Sequence, residues 1–278
     1  MRKGHQAGTH RMLHAQAVWN PVRIGLRLLL ARAARLSLTA QPVGGMVAER
    51  DHWDDAQISR FVARMERQAQ IMRPTAQLTQ FSRFGNRLMV ELAIYSIAAY
   101  RAMRDEGISQ KHASRALADL IWPLYRSFLR LFSLPFRLLH RDPEQRIQGT
   151  LRLLLRFPFS APGKPGYAVK TWTEADRTYT HFTNCPPQSF VRNLIARDGG
   201  DGELEAFSRS WCLYDWPGAD LIADDGNGFH YERKATLSRG DSMCDMCWIG
   251  KGKHRPHNRK PGQFDDEVRS KFDISTVR

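Results

Sequence analysis

The residues with the clearest chemical options are four thiols in the C-terminal half of the chain: Cys185, Cys212, Cys244 and Cys247. The densest stretch, Thr236 to Trp248, holds two of them beside an Arg239-Gly240-Asp241 turn. Cys244 and Cys247 have the Cys-x-x-Cys spacing of zinc knuckles and dithiol redox motifs. Met243 to Ile249 reads as a strand, however, and strand alternation sends the two sulfurs to opposite faces. A second Cys-x-x-Cys is missing, and His254 and His257 lie in a basic tail broken by Gly and Pro. Paired action is therefore not expected.

Cys185 is better placed. It ends a strand and directly precedes Pro186-Pro187, and proline favours the first turn of a helix. The free N–H groups of a helix start stabilise a thiolate, so the spacing predicts a lowered pKa. His181, upstream on the same strand and read as sharing its face with Cys185, is a candidate base. Cys212 follows a short helical segment and has Asp215 three residues on. The plain alternative for each thiol is a small buried core residue, since free cysteine is among the most buried residue types.

The elements that must position these groups change character along the chain. Asp54 or Asp55 can cap a helix carrying Ile58, Phe61, Val62, Met65 and Ala69, a spacing of three and four that makes one apolar stripe. Pro74 interrupts it. A second helix is expected from about Asn86 to Glu106, and a third from Gln110, capped by Ser109, to about Ile121. Residues 121–157 are apolar and Arg-rich together. They read best as a helical hairpin with solvated arginines, broken at Pro135 and Pro143, and alternatively as a basic amphipathic surface for an anionic membrane. After a Pro/Gly loop at 158–166 the period falls to two. Tyr167–Thr173 and Arg177–Asn184 suggest a hairpin, and helices follow from Pro186 to Gly199 and from Glu203 to Trp211. Phe229–Ser238 and Met243–Ile249 suggest a second hairpin. Helices followed by a small antiparallel sheet with two short helices make an α+β fold, here one domain over 51–250.

Net charge is +14, but residues 1–48 hold seven Lys and Arg and no acid, and Lys251, Lys253, Arg255, Arg259 and Lys260 crowd the other end. The two ends read as basic flexible extensions, 1–48 and 251–278, with Met12 and Met46 as alternative starts to Met1. Charge held in the ends, with no helix-turn-helix or finger signature, argues against nucleic acid as a partner. The Leu-rich segment 22–38 is interrupted by four arginines, which argues against a bilayer span. Four cysteines are too few for a disulfide framework, and reduced thiols in the cytoplasm are the expectation.

Three blocks, Thr183-Asn184-Cys185-Pro186, Trp211-Cys212-Leu213-Tyr214-Asp215 and Thr236 through Asp245, resemble in order the L-2-amino-thiazoline-4-carboxylic acid hydrolase family, a bacterial group of α+β proteins. The segment from Phe84-Gly85-Asn86 to Tyr100-Arg101 is similar to that family's helical part. Met246 departs from it, standing where an aromatic is common. The resemblance implies ring opening of a small cyclic amidine carboxylate at a cysteine-containing site, with no cofactor. On it, Cys185 is the expected nucleophile, with Cys212, Cys244, His181 and Asp215 as further catalytic candidates. Arg239, Asp241 and Asp245 are the expected substrate-binding residues, Arg239 for the carboxylate and Asp215 or Asp241 for the amidinium. Two other expectations use the same residues. Cys185, Cys212 and Cys244, with His181, His230 or a water, would make a three-thiolate zinc site. The fold could also serve as a non-catalytic protein that binds a small molecule or a membrane surface.

Overall fold

The computed structural model describes residues 3–38 and 53–253, with the backbone alone over 3–18. Among them the order is α1 (Lys3–Leu38), α2 (Asp55–Met72), α3 (Phe84–Asp105), α4 (Gln110–Leu139) and α5 (Pro143–Arg156). Then follow β1 (Ala168–Glu174), β2 (Arg177–Asn184), α6 (Pro186–Asp198), α7 (Glu203–Ser210), α8 (Asp215–Ala223), β3 (Tyr231–Glu232) and β4 (Cys244–Ile249). The α+β class expected from the sequence is the class observed.

Local chemistry accounts for most of these boundaries. Asp54 caps α2: its carboxylate accepts from Gln57 N–H at 2.6 Å while the Gln57 side chain accepts from Asp54 N–H at 2.8 Å. The predicted stripe Ile58, Phe61, Val62, Met65 and Ala69 is buried, and the helix gives way at Arg73–Ala76 to a tighter turn containing Pro74. The helix starting at Gln110 does not stop near Ile121, nor break at Pro135. It runs to Leu139 through Pro123 and Pro135. A lost hydrogen bond at Pro135 is outweighed by packing: Leu129 and Ser133 are buried, and Phe136 fills the space left by Gly149 of α5. Asp142 then caps α5, accepting from Glu144 N–H at 3.1 Å. The helix α8, directly after the Cys212 block, has no counterpart in the sequence reading.

The expectation of a flexible extension over 1–48 is overturned for α1. Its acid-free charge pattern conceals an i, i+3, i+4, i+8 stripe, Leu30, Ala33, Ala34 and Leu38, all buried in the helical core. Arg23 supplies a second anchor, reaching the wholly buried Glu91 of α3 at 2.7 Å. Residues 39–52, with Met46, lie outside the described residues. So does the expected C-terminal tail from 254 on, while Lys253 pairs with Gly228 through two backbone hydrogen bonds of 2.8 and 3.0 Å.

The four strands are antiparallel in the order β1-β2-β4-β3. Register decides which side chains face inward. Thr178, Thr180 and Phe182 of β2 lie opposite Trp248, Met246 and Cys244 of β4, and all six are buried. Tyr179 and His181 lie opposite Cys247 and Asp245 on the other face. Helices α1–α4, α6 and α7 surround one apolar core. A second forms where α4, α5 and α8 cover the inner face of the sheet. The candidate site sits in this second core.

Candidate functional site

Between α4, α5 and the sheet lies a cavity of about 130 Å³ with largely apolar walls. Leu129, Leu151 and Leu154 close it on the helical side, and Phe182, Met246 and Trp248 on the sheet side. Its polar groups are Cys185, Cys212, Cys244, Asp215, Arg233, Tyr125, Tyr167 and Thr180. The three separated sequence blocks therefore converge on one space. An apolar cavity of about 150 Å³ is enough to take benzene, so this one suits a ligand the size of a single small ring.

Asp215, at the start of α8, organises the polar end. Its Oδ1 accepts from the Tyr125 hydroxyl at 3.3 Å, and its Oδ2 from the Tyr231 hydroxyl at 3.2 Å and from Arg233 Nη1 at 3.1 Å. Burial lifts its carboxyl from an ordinary 3.8 to about 6, against the Arg233 charge and the two phenols, which favour the anion. Both phenols are pushed well above their usual value, chiefly by burial, so they remain neutral donors. Arg233 has only 3 % of its side chain exposed. It donates through Nη2 to Cys212 O at 2.8 Å and lies over the Trp216 ring at 4.7 Å. Its Nε–H is buried and has no hydrogen-bond partner.

The thiols differ in their surroundings. Cys185 caps α6, where proline occupies the first turn as the sequence suggests. Its pKa is nevertheless raised well above the usual thiol value, not lowered. Burial outweighs the one backbone N–H, from Gln188, that favours the thiolate. Cys212 is pushed up to about 11 by burial, against Arg233 and a Ser238 hydroxyl at 3.3 Å. Cys244 Sγ lies 3.4 Å from both Thr236 Oγ1 and Leu237 N. Cys247 stays outside the cavity, on the opposite face of β4, where its sulfur accepts from Arg177 Nη1 at 3.5 Å. All four cysteines are free.

Several expected site residues stand elsewhere. His181 does not share a face with Cys185, because the chain turns into α6 at Cys185 while His181 keeps the outward parity of β2. There it packs on Trp172, ring centres 4.5 Å apart. Arg239 is not at the cavity either: it donates through Nη2 to Lys234 O at 2.5 Å, and its Nε lies 4.0 Å from Asp241. Asp241 and Asp245 hold backbone amides. Asp241 accepts from Thr236 N–H at 2.6 Å, and Asp245 from Lys234 and Ala235 N–H at 2.9 and 2.7 Å. Those bonds fix the segment just after Arg233, so the block serves the site indirectly. His230 is buried away from the thiols, between Ile249 O at 2.8 Å and Asp225 at 3.1 Å. Among the described residues no group of three His, Cys, Asp or Glu side chains is arranged to hold a metal ion.

The Phe84-Gly85-Asn86 block also proves to be a positioning device. Asn86 is wholly buried. Its amide donates to Ser160 O at 2.9 Å and Pro158 O at 3.2 Å, and its oxygen accepts from Tyr167 N–H at 3.3 Å. This pins the loop that brings Phe159 and Tyr167 to the cavity. Gly85 lets that loop approach: a Cβ there would lie 2.6 Å from Pro158 O. Arg101 similarly ties α3 to the α6–α7 connection through Asp198 and Glu203, both at 2.9 Å.

Tyr125, Tyr231 and Arg233 are the site residues that the sequence reading missed. Tyr231 and Arg233 are two apart on an extended segment, so shared parity could have put them on one face. Nothing in the sequence pairs them with Asp215. No family model, no curated protein and no solved structure matches the chain.

Proposed function

We propose that the chain is a hydrolase that opens a small cyclic amidine carboxylate of the 2-amino-thiazoline-4-carboxylate type. The observation that carries this reading is the convergence of Cys185, Cys212, Cys244 and Asp215, from three distant blocks, on one ring-sized cavity with a buried carboxylate–guanidinium end. Cys185 is the nucleophile. It sits at a helix start, whereas Cys212 and Cys244 are each engaged by a side-chain hydroxyl. Because burial keeps the thiol protonated, attack needs a base, and the Asp215 carboxylate, titrating near 6, is suited to that task at neutral pH.

The bonds balance as follows. The Cys185 sulfur attacks the amidine carbon as its proton passes to Asp215. The ring carbon–sulfur bond breaks, and Asp215 returns the proton to the departing sulfur. Water then attacks the resulting S-linked isothiouronium carbon and expels the Cys185 thiol, leaving an N-carbamoyl amino acid with a free thiol. Arg233, through its unpartnered Nε–H, receives the substrate carboxylate, the role that the family resemblance implies for Arg239.

Incubating the chain with 2-amino-thiazoline-4-carboxylate and following thiol release tests the reading, with intact-mass analysis to trap the covalent adduct. An adduct on Cys185 and loss of turnover in Cys185→Ser are expected. Full turnover in that variant would remove the nucleophile assignment. Saturable binding without turnover would favour a non-catalytic pocket, a reading supported by the raised thiol pKa values and the apolar walls.

A further inference from the structure

Helix α4 has two working faces. Tyr125 and Leu129 point to the cavity, while Leu131, Leu134 and Leu138, spaced three and four apart, form a stripe on the opposite side. The stripe is open to solvent: Leu131 is 67 % exposed and Leu138 78 %. A solvated helix face would carry polar residues at those positions. Arg126 and Arg130 are exposed beside the stripe, Arg141 just beyond its end, and the whole of α4 contains a single acid, Asp119. Helix α1, which packs against α4, repeats the pattern. Its exposed Ile24, Leu28, Leu29 and Leu36 lie among Arg27, Arg32 and Arg35, without one acidic residue.

From this surface we infer that the protein docks peripherally on an anionic phospholipid bilayer, α4 foremost, with leucines in the headgroup–acyl boundary and arginines against phosphates. Charge complementarity selects this occupant. A second copy related by a two-fold axis would set arginine-rich face against arginine-rich face, whereas an anionic bilayer neutralises them, each surface cation strengthening partition by about fivefold. The contact is peripheral, because no described helix is long and apolar enough to cross a membrane. Docking by α4 would leave the cavity about one helix diameter, roughly 10–12 Å, from the lipid. The inference is independent of the hydrolase reading.

Co-sedimentation of the full chain with phosphatidylcholine vesicles, with and without phosphatidylglycerol, tests it. Binding is expected only with the anionic lipid and should weaken with salt. Leu131→Ser/Leu134→Ser/Leu138→Ser should reduce partition at least about tenfold, and Arg126→Gln/Arg130→Gln by about tenfold or more. Circular dichroism and thermal melting check that both variants are folded, and the arginine pair carries the test if the leucine variant is not. Failure of the parent to sediment, equal binding to neutral vesicles, or unchanged partition in the folded variants would overturn the proposal. So would a concentration-dependent dimer that the leucine substitutions dissolve, which would assign the face to a second copy.

Discussion

Replacing Asp215 by Asn removes the acidic group among the cavity's described lining residues, and two measurements then report on it separately. The first is catalytic. If the ionised carboxylate takes the thiol proton, kcat/KM for the thiazoline carboxylate rises with pH through about 6. Turnover is then roughly a tenth of its plateau at pH 5 and nine tenths at pH 7. Asp215→Asn should lose about 10²–10⁴-fold, and its residual rate should lack the acid limb. The second needs no substrate. Folding raises this carboxyl from 3.8 to about 6, so the native state prefers the protonated form. That stabilisation is full below about pH 4 and is lost as pH rises through 6, a swing on the order of 3 kcal/mol. Between pH 8 and pH 5 the parent should gain about 1.4 kcal/mol relative to Asp215→Asn in denaturant titrations. The variant also leaves Arg233 without its counter-ion, but that cost is a constant offset and does not alter the slope. Parallel stability–pH curves for parent and variant would refute the buried-carboxyl reasoning. A flat activity profile beside divergent stability curves would refute only the base assignment.

Other expectations follow from the same contacts. Arg233→Met strands the buried Asp215 carboxylate and should cost about 3–5 kcal/mol in urea titration. Asp245→Ala frees the Lys234 and Ala235 amides and should cost about 1–3 kcal/mol, and by loosening the segment after Arg233 it should raise KM more than it lowers kcat. Gly85→Ala forces a Cβ to within 2.6 Å of Pro158 O and should lower stability by about 1–3 kcal/mol, read by thermal melting. With Cys212 raised from 9.0 to about 11, its thiolate fraction at pH 8 falls about a hundredfold. Alkylation by iodoacetamide, mapped by mass spectrometry, should therefore be slow in the native protein and fast after unfolding.

Much of the fold was legible because local rules and tertiary packing agree. The Asp54 cap, the hairpin around Ala175 and the Pro186 helix start each follow from residues adjacent in sequence. Strand parity likewise separated Cys244 from Cys247 correctly. Where local and tertiary terms conflict, the reading erred. Pro135 is a helix breaker by local propensity, yet the packing of Phe136 on Gly149 carries α4 past it. The basic charge of 1–48 suggested an unpacked arm, yet the alanine and leucine stripe of α1 found a core, and Arg23 found Glu91.

The site divides along the same line. Residues of the three motif blocks meet at one cavity, but within a block the sequence cannot say whether a polar side chain holds substrate or backbone. The family resemblance implies Asp241, Asp245 and Arg239 as binding groups, yet a tight turn has orphan amides and carbonyls of its own, and all three side chains bond to these. The cavity-lining cation with an unpartnered donor is instead Arg233, in a segment with no motif. Its role depends on Tyr125, Asp215 and Tyr231 arriving from three elements. A buried cation that is anchored through two nitrogens and has a third donor unpartnered is defined only by tertiary structure. That is why the thiols could be found in the sequence, while the charge partner that gives their cavity its polarity could not.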